Sequence, residues 1–359
     1  MRIIFRTDAS LQIGTGHVMR CLALADELAR QGHECRFVSR EHSGHLSDLI
    51  LSKGYALTLL PVPVKYDYDV VADSSERYAS WLGVPWQEDA KQTLDAIEAL
   101  NADWLVIDHY ALDAEWEKTL AHAVGNIMVI DDLANRAHAC ALLLDQNLGR
   151  AHEDYEALLP GTCESLIGPR FALLRLEFSS LRQQSLARRT TSELKRILLT
   201  LGGVDRDNVT GQILTALASS QLPASTKIDV VMGKTAPHLK VVQAQVAHLP
   251  FNVTVSVNVT DMAGRMCKAD LAIGAAGSTS WERCCLGLPS LTVVVAENQQ
   301  KIAEALSNAG ATKVVDPRPD LDSCLPDMEL LRTMSQNAAK ICDGLGAKRV
   351  CERIGSFNA

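Results

Sequence analysis

The sequence lacks several features that would take it out of the ordinary globular class. Its 359 residues contain no apolar run of about 18 residues, so neither a transmembrane helix nor a membrane partner is expected. Aromatic residues make up only 5% of the sequence. The net charge is -8 and the sequence has no run of basic residues, so nucleic acid is not an expected partner. The opening "MRIIFRTDAS" turns polar too early for a signal peptide and predicts a first strand.

Motifs for common cofactors and metals are also missing. There is no G-x-x-x-x-G-K-[ST], no H-E-x-x-H and no paired Cys/His spacing, so no phosphate-loop NTPase and no metal are expected. Gly14 and Gly16 begin a G-x-G-x-x-G, but Met19 occupies its third position, so no dinucleotide cofactor is expected. The ten cysteines form no C-x-x-C pair and, without an export signal, indicate reduced thiols of a cytoplasmic protein.

What is present is an alternation of short apolar runs and amphipathic segments, in two successive series. The first predicts strands at 2–6, 34–39, 55–60, 104–107, 127–130 and 141–144, with helices at 17–31, 88–100 and 114–123. The second predicts strands at 197–201, 228–232, 253–257, 271–273 and 291–295, with helices at 209–219, 238–247, 262–267, 298–308 and 330–341. Continuously apolar strands are typical of parallel sheets covered by helices on both faces.

A polar segment, "RLEFSSLRQQSLARRTTSELKR", separates the two series and predicts a linker near 184–193. The predicted fold is α/β, with two Rossmann-like domains in tandem, 1–185 and 192–359, facing across a cleft. In open α/β sheets ligands bind beyond the carboxyl ends of the strands, and the glycine-rich loops lie at such ends. The sequence does not determine the oligomeric state, and a monomer is the default expectation.

The first of these loops, in "IGTGHVMRCLALADELARQGH", delivers a histidine to a helix N-terminus. Gly14 and Gly16 leave His17 unshielded, and the helix dipole disfavours its imidazolium form. A neutral imidazole is what a general base requires, so His17 is the predicted catalytic residue. The alternative is that His17 only begins the helix.

Three residues at strand ends complete the candidates of the first domain. Asp8 follows the first strand and could orient His17 or contact a sugar. Asp108 and Tyr110 follow a later strand and could line the cleft. A purely structural role is equally open for each. The sequence also leaves open whether the segment from Trp81 to Trp86 folds over the cleft.

The second glycine-rich loop, "GAAGSTSWE", also follows a strand and opens a helix. Small residues and free N–H groups at Gly277, Ser278 and Thr279 favour a phosphate ligand. Glu282 could accept hydrogen bonds from a ribose diol. The alternative is a capping box, because Thr279-x-x-Glu282 matches that pattern.

Two further loops of the second domain are candidates. The loop "LGGVD", which contains Gly203, could face a phosphate. The alternative is that Asp205 only serves as a helix N-cap. The amides of Asn298 and Gln299 suit sugar hydroxyl and acetamido groups, and the alternative makes Asn298 an N-cap.

Together these residues resemble a known family. The segments "RTDASLQIGTGHVMRCLALADEL", "IDDLANRAHACALLLDQN", "GPRFALLRLEF", "LTLGGVDRDN" and "AIGAAGSTSWERCCLGLPSL" followed by "ENQ" are similar to the UDP-sugar hydrolases of pseudaminic acid biosynthesis. The resemblance implies a GT-B fold, related to the transferase that adds N-acetylglucosamine to the lipid-linked peptidoglycan precursor. It implies hydrolysis of UDP-2,4-diacetamido-2,4,6-trideoxy-β-L-altropyranose to UDP and the free sugar, without a cofactor, in a pathway that feeds flagellin or surface-polysaccharide glycosylation. The helix N-terminus at Ser278 and Thr279 could neutralise the diphosphate, so no metal is expected.

The resemblance also implies a role for particular residues. His17 would be the catalytic histidine, and the last helix would cross back to the first domain. The UDP-binding roles would fall on the loops of the second domain: Gly277, Ser278 and Thr279 at the diphosphate, Glu282 at the ribose, residues 259–262 including Met262 at the uracil, and Asn298 and Gln299 at the phosphates or sugar.

Three other functions remain open. A glycosyltransferase with the same fold would transfer the sugar of a UDP-sugar to an acceptor. A related hydrolase would act on another UDP-diacetamido sugar, because stereochemistry is not readable from the sequence. A non-catalytic module would bind UDP without turnover. Release of free sugar without an acceptor distinguishes a hydrolase from a transferase and from a binding module.

Overall fold

The protein, here a computed structural model that describes residues 1–62, 78–190, 193–316 and 320–357, consists of two compact units. The first comprises Met1–Leu173 together with the C-terminal segment that begins at Ala347. The second comprises Leu174–Gly346. Within the described ranges, no helix is long and apolar enough to cross a membrane.

The first unit is built on seven parallel strands in the order β3-β2-β1-β4-β5-β6-β7. Most of these strands and helices lie where the apolar runs predict them, but a short helix at 47–52, a strand at 164–167 and single turns of 3-10 helix were not predicted. The elements are β1 (Arg2–Thr7), α1 (Gly16–Arg30), β2 (Glu34–Arg40), α2 (Ser47–Ser52), β3 (Ala56–Leu60), α3 (Trp86–Ile97), β4 (Ala102–Asp108), α4 (Ala114–Leu120), β5 (Val124–Ile130), β6 (Leu142–Asp145) and β7 (Glu164–Ile167).

The second unit repeats this arrangement on six parallel strands in the order β10-β9-β8-β11-β12-β13. Its elements are α5 (Leu176–Arg188), β8 (Arg196–Thr200), α6 (Val209–Ala218), β9 (Lys227–Met232), α7 (Leu239–Val246), β10 (Asn252–Val257), α8 (Met262–Lys268), β11 (Leu271–Ala275), α9 (Thr279–Cys285), β12 (Ser290–Val293), α10 (Gln300–Asn308), β13 (Thr312–Val315), α11 (Leu321–Cys324) and α12 (Met328–Ile341). The final helix, α13 (Gly346–Ser356), follows.

The first sheet carries apolar side chains on both faces, as strands buried on two sides require. Along β1, Ile3 and Phe5 enter one cluster, whereas Ile4 enters the other. Helix α13 adds Val350 and Ile354 to the cluster of Ile3 and Phe5. The C-terminal helix is therefore part of the core of the first unit.

Helix α5 is the main departure from the predicted organisation. Its polar composition predicts a linker, but the chain is helical through Arg188, and residues 191–192 lie outside the described residues. Arg182 donates to the Cys342 and Ala339 carbonyls, and the Ser185 hydroxyl donates to the Leu286 carbonyl. The boundary between the compact units consequently lies at Leu173–Leu174 rather than at 185–192.

Arg189, just after α5, shows why these polar residues are needed. Its guanidinium is buried and donates to the carbonyls of Leu286, Ala269 and Met266 at 3.0, 2.8 and 2.8 Å. Burial lowers the pKa of Arg189 to about 10. The polar segment thus supplies partners for carbonyls near the ends of α8 and α9.

We expect Arg189→Met to destabilise the protein by about 3 kcal/mol, because three carbonyls would each lose a hydrogen bond from a buried guanidinium. Chemical unfolding followed by circular dichroism measures the change. Gln184→Met is the matched control, since Gln184 is an exposed residue of the same helix. Equal stability of both variants would contradict a structural role for Arg189.

Candidate functional site

The loop between β1 and α1 presents His17 at the start of the helix. Gly14 has φ +83°, in the left-handed region that glycine tolerates, and its N–H donates to the Ser10 carbonyl at 2.8 Å. The chain then enters α1 at Gly16, one residue before His17. The predicted placement of His17 in the first turn of a helix is confirmed.

Asp108 holds the imidazole of His17. Asp108 ends β4, its side chain is fully buried, and its Oδ1 lies 2.5 Å from His17 Nδ1. Because a carboxylate only accepts hydrogen bonds, Nδ1 carries the proton and donates. In the neutral ring Nε2 then keeps its lone pair, the arrangement of a general base oriented by an acid.

The same carboxylate is clamped from its other side by Arg20. Nε of Arg20 donates to Asp108 Oδ2 at 2.6 Å, and Nη2 donates to Oδ1 at 2.6 Å. Nη1 of Arg20 donates to Asp132 Oδ2 at 2.8 Å. Burial opposes ionisation of Asp108, but Arg20 and His17 outweigh it and hold its pKa well below the usual range.

Aromatic rings surround His17 on a further side. The Tyr110 ring meets the imidazole edge-on at 4.7 Å between centroids, and Trp81 stacks on Tyr110 at 5.6 Å. Tyr110 is buried. Burial, followed by the Asp132 carboxylate, raises the pKa of Tyr110. Trp86 is 37% exposed.

Asp8 is engaged in a separate ionic network. It is fully buried, and its Oδ1 accepts from Arg6 Nη1 at 2.6 Å and from the Arg40 N–H at 2.7 Å. Burial opposes its ionisation, yet Arg6 holds the pKa of Asp8 well below the usual range. The carboxylate that orients His17 is therefore Asp108, and the suggestion that Asp8 does so is wrong.

Both of these aspartates lie where the topology of the sheet changes direction. Asp8 directly follows β1, Asp108 ends the neighbouring strand β4, and α1 starts from the same edge of the sheet. Adjacent strands whose connections run in opposite directions leave a crevice at their carboxyl ends. This position explains why sequence-distant polar groups meet there.

In the second unit the predicted nucleotide loops also follow strand carboxyl ends. Gly203 follows β8 and Gly277 follows β11, and these strands are neighbours at the point where strand order reverses. Met262 begins α8 after β10, and Asn298 lies in a 3-10 turn after β12. The fold brings these loops to one edge of the sheet.

The start of α9 does not form the capping box that was the alternative to phosphate binding. Ser278 is the N-cap and makes no side-chain capping bond, so the Thr279-x-x-Glu282 capping box is not formed. Backbone N–H groups of Ser280 and Trp281 donate to the Gly277 and Ser278 carbonyls. The N–H groups of Ser278 and Thr279 precede these bonds, in the position where helices bind anions.

The loop begins at Gly274 and includes Gly277, and only the first of these glycines is required by the packing around it. A Cβ on Gly274 would lie 2.8 Å from the Thr200 carbonyl oxygen and against the Arg283 guanidinium, so packing demands glycine there. A Cβ on Gly277 meets no described atom within 4 Å, and its φ is not left-handed. Neither packing nor backbone strain explains a glycine at 277.

Arg283 adds positive charge beneath the loop. It is buried, and its Nη2 donates to the Ala275 carbonyl at 2.7 Å and to Ser280 Oγ at 2.9 Å. Its Nε and Nη1 have no acceptor among the described residues. Burial lowers the pKa of Arg283 to about 10, so the guanidinium remains charged at neutral pH.

Glu282 lies beside Arg175 rather than in a helix cap. Its Oε1 is 4.0 Å from Arg175 Nη2, and its side chain is 17% exposed. Burial raises the pKa of Glu282 to about 7; Arg175 opposes this rise and Glu177 adds to it. Its charge therefore changes near neutral pH.

The remaining candidates of the second unit are Asp205, Asn298 and Gln299, and they differ in whether their side chains bind the backbone. Asp205 accepts from the N–H groups of Val209 and Thr210, both at 2.9 Å, so its carboxylate lies at the start of α6, but the N-cap of that helix is Asn208. Asn298 is exposed and is not an N-cap, because Ala296 caps the 3-10 turn and Gln299 is the N-cap of α10. Gln299 accepts from the Val295 N–H through Oε1 at 3.3 Å.

Arg20 and Asp132 are the functional candidates that sequence reasoning missed. Arg20 stands three residues after His17, a spacing that places both on one face of a helix. Asp132 belongs to the pair that directly follows β5, as Asp108 ends β4. The spacing was readable, but the contact with Asp108 depends on the packing of α1 against the sheet.

The second unit matches a known domain family, and most of the chain is similar to a known UDP-sugar hydrolase. Residues 197–338 match the glycosyltransferase family 28 C-terminal domain. Over 310 residues the chain is 27% identical to the UDP-2,4-diacetamido-2,4,6-trideoxy-beta-L-altropyranose hydrolase of Campylobacter jejuni, covering 86% of this chain and 97% of that protein. The resemblance predicted from the sequence motifs is confirmed.

Solved structures agree on the fold. MurG of Acinetobacter baumannii superposes with a TM-score of 0.69 at 17% identity, covering 99% of both chains. The UDP-GlcNAc 2-epimerase of Neisseria meningitidis, bound to UDP-GlcNAc, gives 0.63 at 12% identity, covering 99% of this chain and 100% of that one. The prediction of two tandem Rossmann-like domains of the GT-B class is confirmed.

Proposed function

We propose that this protein hydrolyses UDP-2,4-diacetamido-2,4,6-trideoxy-β-L-altropyranose to UDP and the free sugar, as a step of pseudaminic acid biosynthesis. Similarity along 97% of the Campylobacter hydrolase supports this substrate. The observation that carries the proposal is the 2.5 Å contact between His17 Nδ1 and Asp108, which leaves Nε2 available as a base.

In the proposed reaction a water molecule attacks the anomeric carbon opposite the leaving group. Nε2 of His17 takes a proton from that water as the new C–O bond forms. The bond between the anomeric carbon and the UDP oxygen breaks, and UDP leaves with the electron pair. Configuration at the anomeric carbon inverts, and Asp108 stabilises the imidazolium that forms.

The second unit would bind UDP without a metal. Backbone N–H groups at Ser278 and Thr279 would hold the diphosphate, and the Arg283 charge would favour it. Glu282 would accept hydrogen bonds from the ribose diol. Met262 and its neighbours would contact the uracil, and Asn298 and Gln299 would reach the phosphates or sugar.

The test is proton NMR of the purified protein with this UDP-sugar and no acceptor, with and without a chelator. We expect UDP and free sugar to appear at the same rate in both samples, and the first anomer to show inversion. UDP binding without turnover would instead favour a glycosyltransferase, which the family 28 match also suits, or a binding module. Addition of candidate acceptors would then separate those two.

Ionisation of Glu282 predicts a pH-dependent affinity for UDP. Only the carboxylate accepts hydrogen bonds from both ribose hydroxyls, and its pKa is raised to about 7. Affinity should therefore rise about tenfold from pH 6 to pH 8, as the carboxylate ionises. Isothermal titration calorimetry measures this dependence.

Two controls isolate the role of Glu282. Glu282→Gln should weaken binding and remove this part of the pH dependence, leaving only the titration of the phosphates. A UDP analogue without the ribose diol should show the same residual dependence with the unaltered protein. An unchanged pH dependence in Glu282→Gln would count against the ribose contact.

A further inference from the structure

The group that holds His17 is itself held by a charged chain of residues. Asp132 binds Nη1 of Arg20 at 2.8 Å, and Nε and Nη2 of Arg20 bind the two oxygens of Asp108 at 2.6 Å each. Asp108 in turn contacts His17 Nδ1. The Arg20 and Asp108 side chains are 6% and 0% exposed, so water screens their interaction poorly.

Few groups around His17 carry charge at neutral pH. Burial lowers the pKa of His109 to about 3, and the Ala111 N–H donates to its Nδ1, so this ring is neutral. Burial keeps the Tyr110 phenol protonated. The titratable and charged groups that face His17 from α1 and from the ends of β4 and β5 are Arg20, Cys21, Asp108, His109, Tyr110 and Asp132.

Of these, the neutral Cys21 thiol donates weakly to Asp108 Oδ2 at 3.6 Å, and burial raises its pKa. The charge balance beside His17 therefore rests on one guanidinium shared between two carboxylates. Removing the guanidinium would leave two negative charges that favour the imidazolium. Removing the charge of Asp132 would leave Arg20 to neutralise Asp108 alone and would disfavour the imidazolium.

We propose that Arg20 and Asp132 are positioning residues that set the pH range in which His17 is a neutral base. Arg20 fixes the Asp108 carboxylate through two hydrogen bonds and offsets its charge. Asp132 reduces that offset, because its negative charge is paired with the same guanidinium. This inference rests on the proposed function, because it takes His17 as the base of the hydrolysis.

The test compares the pH dependence of kcat/KM in Arg20→Met and Asp132→Asn. The rate of a reaction that needs neutral His17 falls on the acid side. Arg20→Met should move this acid limb about one unit to higher pH, and Asp132→Asn should move it to lower pH. Arg20→Lys, which retains a charge but not the paired geometry, should restore the limb while kcat stays low.

Arg30→Met is the matched control. Arg30 lies on the same helix, forms an ion pair with Glu27 at 2.7 Å, and has a side chain that is 55% exposed. Its loss should leave the acid limb unchanged. Lower kcat or lower stability in Arg20→Met and Asp132→Asn, with the acid limb unmoved in both, would show a merely structural role and overturn the proposal.

A second readout does not need turnover. In protein labelled at histidine, the imidazole signal that disappears in His17→Ala reports the ionisation of His17 by NMR across the pH range. If the unaltered protein releases no UDP, the proposed hydrolysis fails, and this signal alone decides the charge relation. Opposite displacements of its midpoint in Arg20→Met and Asp132→Asn support the relation, and unmoved midpoints refute it.

Discussion

Replacing His17 by alanine should lower the rate of UDP release by about 10² to 10⁴-fold, the range that a positioned general base contributes. The reason is that Asp108 fixes the proton on Nδ1 of His17 and leaves Nε2 free to act as the base. Proton NMR of sugar release without an acceptor measures the loss. The fold should survive, because His17 lies in the first turn of α1 and the residues that pack this helix into the core, such as Leu22 and Leu28, are unchanged.

His122→Ala is the matched control for this prediction, since it removes an exposed histidine of the same unit and should leave the rate unchanged. UDP should still raise the unfolding temperature of His17→Ala, because a ligand stabilises the state that binds it. Asp108→Asn should also reduce turnover strongly, since an amide can present N–H to Nδ1 and select the wrong tautomer. Full turnover in His17→Ala would exclude His17 as the base.

The second large effect is expected from Gly277→Ala. A Cβ at this position meets no described atom within 4 Å, so the folded chain accommodates it. The variant should be as stable as the unaltered protein or slightly more so, because alanine restricts the unfolded chain. A diphosphate bound at the N–H groups of Ser278 and Thr279 would meet the added methyl group, and kcat/KM should fall about 100-fold through its displacement.

Thermal unfolding with and without UDP tests this prediction directly. Gly277→Ala should keep its unfolding temperature in the absence of UDP but lose most of the increase that UDP produces. Gly274→Ala is the contrasting variant, because its Cβ would clash with the Thr200 carbonyl and the protein should be destabilised. If Gly277→Ala binds UDP normally, the diphosphate lies elsewhere.

Much of the fold was predictable because strands buried on both faces carry an unmistakable apolar pattern. The runs that became β1, β4 and β8 have continuous apolar centres, IIF, WLVI and ILL, and amphipathic segments follow them. Helix α5 was not predictable in this way, since polar side chains of α5 and of the residue after it bind carbonyls in or next to α8, α9 and α12; these side chains are Arg182, Ser185 and Arg189. Periodicity in hydrophobicity carries no signal for such a helix.

The candidate site, like the fold, has features that the sequence predicts and features that depend on tertiary packing. The sequence by itself determined that His17 stands at a helix start behind two glycines, and that small residues open α9, because turn and helix signals are local. Only the tertiary structure decided that Asp108, not Asp8, contacts His17, and that Arg20 joins Asp108 to Asp132. Parallel strands distant in the chain end side by side at one edge of a sheet, and which of their polar groups meet depends on packing that no local pattern encodes.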